Sequence, residues 1–242
     1  MPSVGIWTIE SDNDKEVVGH LALKLAAYLG LEIEIRTLGK KTFSDVAKRV
    51  NKDPDALTKA VRNYLIENNC IIFVLDTDSP IRLAHKRQDP HSAISQIERV
   101  TDKFGTRVYV ALAVQEVEAW LLVDCVGICC YFAGVENSSK SRARQEKKFQ
   151  SLLKKYARGN TELIVEAEAG GKGPKEYLIE LSERIIRTLQ PQIGLRVLNQ
   201  KKYRESLSPA LAKYIEIGDE ALKRNASLQR FGEYLTRCST IG

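Results

Sequence analysis

The stretch from Ile71 to Pro80, IIFVLDTDSP, decides the fold class because five apolar residues run directly into two aspartates. A continuous apolar run of this length is typical of a strand that helices bury on both faces. Asp76 and Asp78 follow at the carboxyl end of this strand, with Thr77 between them. The stretch therefore predicts a central strand of a parallel sheet that carries two carboxylates at one edge.

Three further strands are predicted before residue 124, and helical patterns lie between them. Their predicted ranges are 4–10, 31–38 and 107–114. The resulting order, β-α-β-α-β-α-β-α, predicts an α/β fold with a mostly parallel sheet, flanking helices and short right-handed crossovers.

The second half of the chain is predicted to be mainly helical. Candidate helices span about 141–157, 174–189, 208–216 and 218–236. We therefore expect an α/β core over residues 1–124. Residues 125–242 would form a helical C-terminal extension with a basic stretch, packed on that core.

Composition and charge restrict the class of protein. Of the 242 residues, 43% are apolar and 28% are charged, with a formal net charge of +6. No apolar run approaches the roughly 18 residues that a membrane span needs, and the first residues lack a signal-peptide pattern. We expect a cytoplasmic protein without membrane contact, and its positive charge permits a polyanionic partner.

The five cysteines predict reduced, packed thiols. Their odd number and the missing secretory signal argue against a disulfide framework. The cluster CVGICC, residues 125–130, lacks a second Cys or His pair at zinc spacing. Metal binding by this cluster stays open as an alternative.

Acids follow three of the four predicted strands. Glu10 follows the first strand, Asp76 and Asp78 the third, and Glu116 and Glu118 the fourth. Ligands of open parallel sheets bind beyond this edge, and carboxylates that converge there repel one another unless cations neutralise them. Mg²⁺ and Mn²⁺ prefer oxygen ligands and can promote phosphodiester hydrolysis. For each acid alone, a helix cap or a solvated loop residue is the alternative.

Basic residues provide candidates for phosphate contacts. Lys172 and Lys175, in GGKGPKEY, could stabilise charge on a reacting phosphate near a helix N-terminus; a mobile loop with exposed lysines is the alternative. Other basic residues follow the aspartates or lie in the stretch 140–158, where solvated surfaces are the alternative. The candidates are Arg82, Lys86, Arg87, Arg142, Arg144, Lys147 and Lys148.

The segments GIWTIESDNDKEVVGHLAL and IIFVLDTDSP together resemble the TOPRIM domain of topoisomerases, primases and OLD-type nucleases. In that domain a Glu ends the first strand and an Asp-x-Asp ends the third. The resemblance implies metal and catalytic roles for Glu10, Asp76 and Asp78. Ser11 stands where the family often has Gly, and Asp14 matches a further acid of the family's metal site.

A closer resemblance covers most of the chain. The segments VALAVQEVEAWLLVD, GKGPKEYL and SPALAKYIEIGDEALKRNASLQRFGEYL are similar to a TOPRIM-related bacterial family of unknown function. That family is often encoded beside an AAA-type or SMC-like ATPase in phage-defence loci. Its Glu-x-Glu-Ala-Trp-Leu segment matches Glu116 to Leu121. The resemblance implies a TOPRIM-like, Rossmann-like fold and a metal-dependent nuclease core.

These motifs imply specific roles. Asp76 and Asp78 would hold the metal, and Glu10 would be a further ligand or a general base acting through water. Glu116 and Glu118 can both face the metal only if Glu116 lies at the strand end or in a turn and Glu118 in the first helical turn, because positions two apart on a helix diverge by about 200°.

We therefore expect a Mg²⁺- or Mn²⁺-dependent TOPRIM-type nuclease that cuts DNA or RNA. It would act as an anti-phage defence effector with an ATPase partner, and a homo-oligomer is compatible with the sequence. The alternative is a non-catalytic TOPRIM-like module that binds nucleic acid or the ATPase. A toxin that acts on a specific RNA is a third interpretation.

Overall fold

The computed structural model describes residues 1–50, 53–77, 80–114, 116–136, 151 and 173–241. Within them, four strands form one sheet in the order β2-β1-β3-β4, and every neighbouring pair is parallel. The strands are β1 (Ser3–Thr8), β2 (Glu34–Leu38), β3 (Cys70–Asp76) and β4 (Val108–Ala113). The predicted α/β class with a parallel sheet is confirmed.

Five helices connect the strands. They are α1 (Asp12–Tyr28), α2 (Lys40–Val50), α3 (Ala56–Glu67), α4 (Pro80–Gln88) and α5 (Ala93–Phe104), and a 3-10 turn at Gly105–Arg107 leads into β4. The alternation of strands and helices is thus the one that the sequence predicts.

The described residues after β4 are helical. The helices are α6 (Glu118–Leu121), α7 (Cys125–Ala133), α8 (Pro174–Leu189), α9 (Leu195–Lys201), α10 (Ser208–Ala212), α11 (Asp219–Lys223) and α12 (Ala226–Ser239). The helix predicted at 174–189 is confirmed, and the one predicted at 208–216 is shorter. The single helix predicted at 218–236 is wrong because α11 and α12 are separate. The helix predicted at 141–157 lies almost wholly outside the described residues.

The chain groups into two compact units. Residues 1–115 and 226–242 form one of them, called the sheet unit here, and residues 116–225 form the other, called the helical unit. The last helix, α12, thus belongs with the sheet. The predicted domains, 1–124 and 125–242, stay a prediction.

Both faces of the central strands, β1 and β3, are buried within the sheet unit. The residues of β3 alternate: Ile71, Phe73 and Leu75 join an apolar core with α2, α3 and α5. Trp7 of β1 stacks on Phe73 in this core, with ring centroids 5.3 Å apart. Helix α12 packs against β1, β3 and β4 and against α1. The continuous apolar run of β3 is therefore explained by helices on both of its faces.

The cysteines differ from the prediction. Cys70 and Cys238 form a disulfide with a Cα–Cα distance of 5.5 Å, so the expectation of reduced thiols is wrong for this pair. The three cysteines of α7 are free and buried. Burial raises the pKa of the Cys125 thiol to about 11, which keeps it protonated.

None of the described helices is long and apolar enough to cross a membrane.

Candidate functional site

The sheet has a topological switch point between β1 and β3. From β1 the chain adds β2 on one side and β3 on the other. Ligands of doubly wound sheets bind at such a point, beyond the carboxyl ends of the strands. Thr8 pairs with Val74 across the two strands, and Glu10 and Asp76 each lie two residues beyond this pair. The fold thus brings these two acids to the same edge on neighbouring strands.

Asp76 is held by the strand that it ends. Its Cα is in register with Ala113 of β4, and its side chain is half-buried. The Thr77 backbone N–H donates to the Ala113 carbonyl at 3.1 Å, and the Thr77 side chain is only 4% exposed. The backbone on both sides of Asp76 is therefore fixed by neighbours. Asp78, the second predicted aspartate, lies outside the described residues.

Asp14 has a structural role at the start of α1. Its Oδ2 accepts a hydrogen bond from the Ser11 backbone at 2.9 Å, and the Asp14 N–H donates to Ser11 Oγ at 3.1 Å. This reciprocal capping box satisfies two backbone donors at the helix N-terminus. Ser11, which departs from the TOPRIM pattern, is thus explained locally. The metal role of Asp14 stays a prediction.

Helix α4 carries the basic residues that follow the aspartates in sequence, and it begins at Pro80, four residues after Asp76. Arg82 and Arg87 are exposed, and Lys86 is half-buried. Arg87 pairs with Glu98 of α5, with 2.7 Å between Nη2 and Oε1. The helix is therefore anchored to α5 near its C-terminus.

The remaining predicted cations of the basic stretch and the glycine loop cannot be placed. Arg142, Arg144, Lys147, Lys148 and Lys172 lie outside the described residues. Their roles stay predictions.

Glu116 and Glu118 belong to the helical unit, whereas Glu10 and Asp76 belong to the sheet unit. Glu118 is the first residue of α6, and Glu116 precedes the helix. This is the local geometry that the sequence analysis set as a condition for both acids to face one ligand. Whether they share a site with Glu10 and Asp76 stays a prediction.

Glu118 lies in a buried hydrogen-bond network. Its carboxylate, in a residue only 6% exposed, accepts from Tyr203 Oη at 2.9 Å. The same hydroxyl lies 2.9 Å from Ser208 Oγ, and Ser208 donates to the Glu205 carbonyl. Burial, followed by the charge of Glu118, raises the pKa of Tyr203. The phenol therefore stays protonated and can donate to the carboxylate.

Lys175 extends this network to Glu116 and Glu205. Its backbone N–H donates to Glu116 Oε2 at 3.2 Å, and its ammonium pairs with Glu205 Oε2 at 2.9 Å. The hydrogen bond to Glu205 is the main reason why the pKa of Lys175 is raised. Burial, followed by repulsion from Glu118, raises the pKa of Glu116. A carboxylate from before α6 thus caps the N-terminus of α8.

Three members of this network, Glu116, Glu118 and Lys175, are predicted from the sequence, whereas Tyr203, Glu205 and Ser208 are not. Their segment, KKYRESLSP, suggests only a basic cluster when it is taken alone. Tyr203 lies 85 residues from Glu118 along the chain. No local sequence pattern links positions so far apart. Co-variation of the two positions among homologous sequences is the signal that would indicate their contact.

The metal prediction can be tested against the donors that the structure describes. Among these residues, no group of three or more His, Cys, Asp or Glu side chains is arranged to hold a metal ion. Glu10 and Asp76 offer carboxylate oxygens, which fit a hard cation such as Mg²⁺ or Mn²⁺. The chemistry of these two donors therefore fits the predicted ion, and Asp78 is the third donor that the prediction adds.

Comparison with known proteins found no matching family model, curated protein or solved structure. The TOPRIM resemblance and the likeness to the defence-associated family therefore stay predictions that rest on the motifs quoted above.

Proposed function

We propose that the protein is a divalent-metal-dependent nuclease of the TOPRIM type, which hydrolyses phosphodiester bonds of DNA or RNA. The observation that carries this proposal is the position of Glu10 and Asp76 beside the switch point between β1 and β3. Two acids at the ends of neighbouring strands are suited to ligand chemistry at this point. Asp76 is the last residue of β3 and is supported by the sheet, and Glu10 follows β1 by two residues.

Asp76 and Asp78 would hold Mg²⁺ or Mn²⁺, with Glu10 as a further ligand or as the general base for the attacking water. When bound, such an ion lowers the pKa of a coordinated water and stabilises the leaving oxygen. The chain's own contribution is orientation: β3 fixes the backbone of Asp76, and Thr77 beside it is buried and bonded to Ala113.

Binding of the substrate backbone would fall to basic residues. Arg82 and Lys86 of α4 lie on the helix that begins four residues after Asp76. Guanidinium and ammonium groups position phosphates without reading base sequence. Lys172 would stabilise charge on the reacting phosphate. This division of roles predicts binding that weakens with salt.

The biological setting that we propose is anti-phage defence in the cytoplasm, together with an AAA-type or SMC-like ATPase. The similarity of the EVEAWLL and GKGPKEYL segments to the defence-associated family supports this setting. The P-loop pattern Gly-x-x-x-x-Gly-Lys-Ser/Thr does not occur in the chain. Any dependence on ATP would therefore come from the partner.

A non-catalytic module that binds nucleic acid or the ATPase is the second candidate. The observation that favours it is the capping box at α1, where Asp14 serves the fold directly. If capping α1 is the only role of Asp14, one of the acids predicted to bind the metal is not available for it. The same biochemical experiment separates the two candidates.

The experiment compares the purified wild type with Asp76→Asn on plasmid DNA, single-stranded DNA and total RNA. Each substrate is incubated with Mg²⁺, Mn²⁺ or EDTA. We expect cleavage that needs the metal and falls about 100-fold or more in Asp76→Asn, because a charged oxygen ligand is lost. Asp102→Asn is the matched control, since Asp102 is exposed on α5 of the same unit. It should cleave like the wild type.

Cleavage that persists in EDTA or in Asp76→Asn would contradict the metal-nuclease assignment. Salt-dependent nucleic-acid binding without cleavage, unchanged in Asp76→Asn and after addition of the partner ATPase, would favour the binding module. Circular dichroism melts of all three proteins show whether a loss of activity is a loss of folding.

A further inference from the structure

The disulfide joins the two segments of the chain that make up the sheet unit, residues 1–115 and 226–242. Cys70 is the first residue of β3, and Cys238 lies in the last turn of α12. Both cysteines are 0% exposed. They are separated by 168 residues in sequence, and the whole helical unit lies between them in the chain.

Helix α12 is held on the sheet in two ways. Leu228, Phe231 and Leu235 are fully buried on one side of the helix, and the disulfide adds a covalent link at its C-terminal end. A cross-link that closes a long loop removes more entropy from the unfolded chain than one that closes a short loop. The link therefore has a larger effect on stability than a short-range disulfide would have.

We propose that Cys70 and Cys238 form a redox-sensitive lock, which ties α12 to β3 when oxidised and leaves the helix held by packing alone when reduced. The strand that is locked at Cys70 ends at Asp76, so the lock acts on the support of the acidic edge. The proposal concerns the stability of the sheet unit and is independent of whether the protein is a nuclease.

The reductant in the reaction is a dithiol, and the chemistry is thiol–disulfide exchange. A thiolate of the dithiol attacks one protein sulfur, the bond between Cys70 and Cys238 breaks, and the other cysteine leaves as a thiolate and takes up a proton. The second thiol of the reductant then displaces the first cysteine and closes its own disulfide. Two electrons and two protons pass from the dithiol to the protein. A small disulfide such as oxidised glutathione reverses the reaction.

Burial makes the lock slow to operate in the native state. A thiolate can reach the sulfurs only when α12 opens locally from the sheet, because both residues are inaccessible. We expect native-state reduction to be at least about tenfold slower than reduction in denaturant. The lock would therefore respond to conditions that loosen α12 as well as to redox potential.

The experiment begins with the protein purified without reductant, alkylated in denaturant and digested. We expect a peptide that contains Cys70 linked to one that contains Cys238, and alkylation of the other three cysteines. Thermal unfolding is then measured before and after reduction with dithiothreitol. We expect the reduced protein to melt about 5–15 °C lower.

Two variants test whether the response belongs to this pair. Cys238→Ser should melt near the reduced wild type and lose its response to dithiothreitol. Cys129→Ser, which changes a buried free cysteine in α7, should keep the response whatever its own melting temperature. If Cys238→Ser fails to fold, Cys238→Ala retains an apolar side chain at the same place.

The protein purified without reductant is also incubated with oxidised glutathione before alkylation, and five alkylated cysteines in that sample would overturn the proposal. So would a cross-link to another cysteine, equal melting temperatures of the oxidised and reduced protein, or a redox response that persists in the Cys238 variants. If the protein shows no nuclease activity but responds to reduction as expected, the result counts against the proposed function and not against the redox-sensitive lock.

Discussion

The ionised carboxylate of Glu116 is stabilised by one neighbour, Lys175, and destabilised by another, Glu118. It accepts a hydrogen bond from the Lys175 backbone, while burial and the nearby charge of Glu118 raise its pKa. The stability that a carboxyl group adds when folding raises its pKa is fully present below its unfolded pKa. This contribution is lost as the pH rises through the folded pKa, because the ionised form is disfavoured in the native state.

Glu116→Gln should therefore change how stability depends on pH. Gln keeps a carbonyl acceptor for the Lys175 N–H and cannot ionise. We expect the melting temperature of Glu116→Gln, relative to the wild type, to rise as the pH increases from about 4 to about 7. The measurement is a series of thermal melts across this range.

Glu233→Gln provides the control for the Glu116 series, because Glu233 is exposed on α12. Its melting temperature relative to the wild type should stay nearly constant with pH. A flat difference for Glu116→Gln, or a difference of the opposite sign, would contradict a raised pKa of Glu116.

Residues of the candidate site differ in how far the sequence predicts them. The end of a β-branched, apolar run predicts Asp76 at the end of β3, because strand pattern is local. The use of Asp14 in a capping box is also a local feature, from Ser11 three residues before it. The contact between Tyr203 and Glu118 depends on the tertiary fold, and one sequence alone contains no local signal for it.

Elements follow the sequence where local pattern and burial agree. The strand β3 is predicted by its apolar run, and α8 by the pattern that starts at Pro174. The helix predicted over 218–236 is interrupted because Asn225 is fully buried and its side chain donates to the Ala119 carbonyl at 3.4 Å. Helical periodicity alone does not reveal a side chain that is needed elsewhere.

Helix α7 depends on a close approach at Gly127. A Cβ atom at this position would meet the Tyr214 carbonyl oxygen and would lie 2.6 Å from Asp124 Oδ2. Asp124 cannot easily yield, because its carboxylate caps α7 through Val126 and accepts from the Glu216 backbone. Glycine is thus needed for close packing and not for an unusual backbone conformation.

Gly127→Ala is expected to destabilise the protein by about 1–3 kcal/mol, the usual cost of overpacking. The free energy of unfolding would be measured by urea denaturation. Gly194→Ala is the control for a Cβ without a clash, since no atom would lie within 4 Å of it. Gly194 is the N-cap of α9, where Gly is preferred to Ala, so we expect a cost of about 1 kcal/mol or less. Equal effects of the two substitutions would show that the close approach in α7 carries no cost.

At the scale of the whole molecule, the order of the elements along the chain does not match their grouping into compact units, because one unit contains both the first and the last residues. The sequence predicts that all residues after 124 form a helical extension. A run of helical patterns that is continuous in sequence favours a single domain. The structure returns α12 to the sheet unit after the helical unit is complete. The pattern of α12 shows which face is apolar but contains no information on which element covers that face, and this is why its place could not be predicted.

This grouping predicts that a core residue near the C-terminus stabilises strands more than a hundred residues earlier in the chain. Phe231→Ala in α12 should cost about 3–5 kcal/mol and Leu181→Ala in α8 about 2–5 kcal/mol, because both side chains are buried. Hydrogen exchange followed by mass spectrometry would locate each effect. We expect Phe231→Ala to lower the protection of β1, β3 and β4, and Leu181→Ala to lower that of α8. Strand protection that is unchanged in Phe231→Ala, or lowered only in Leu181→Ala, would mean that α12 does not stabilise the sheet unit.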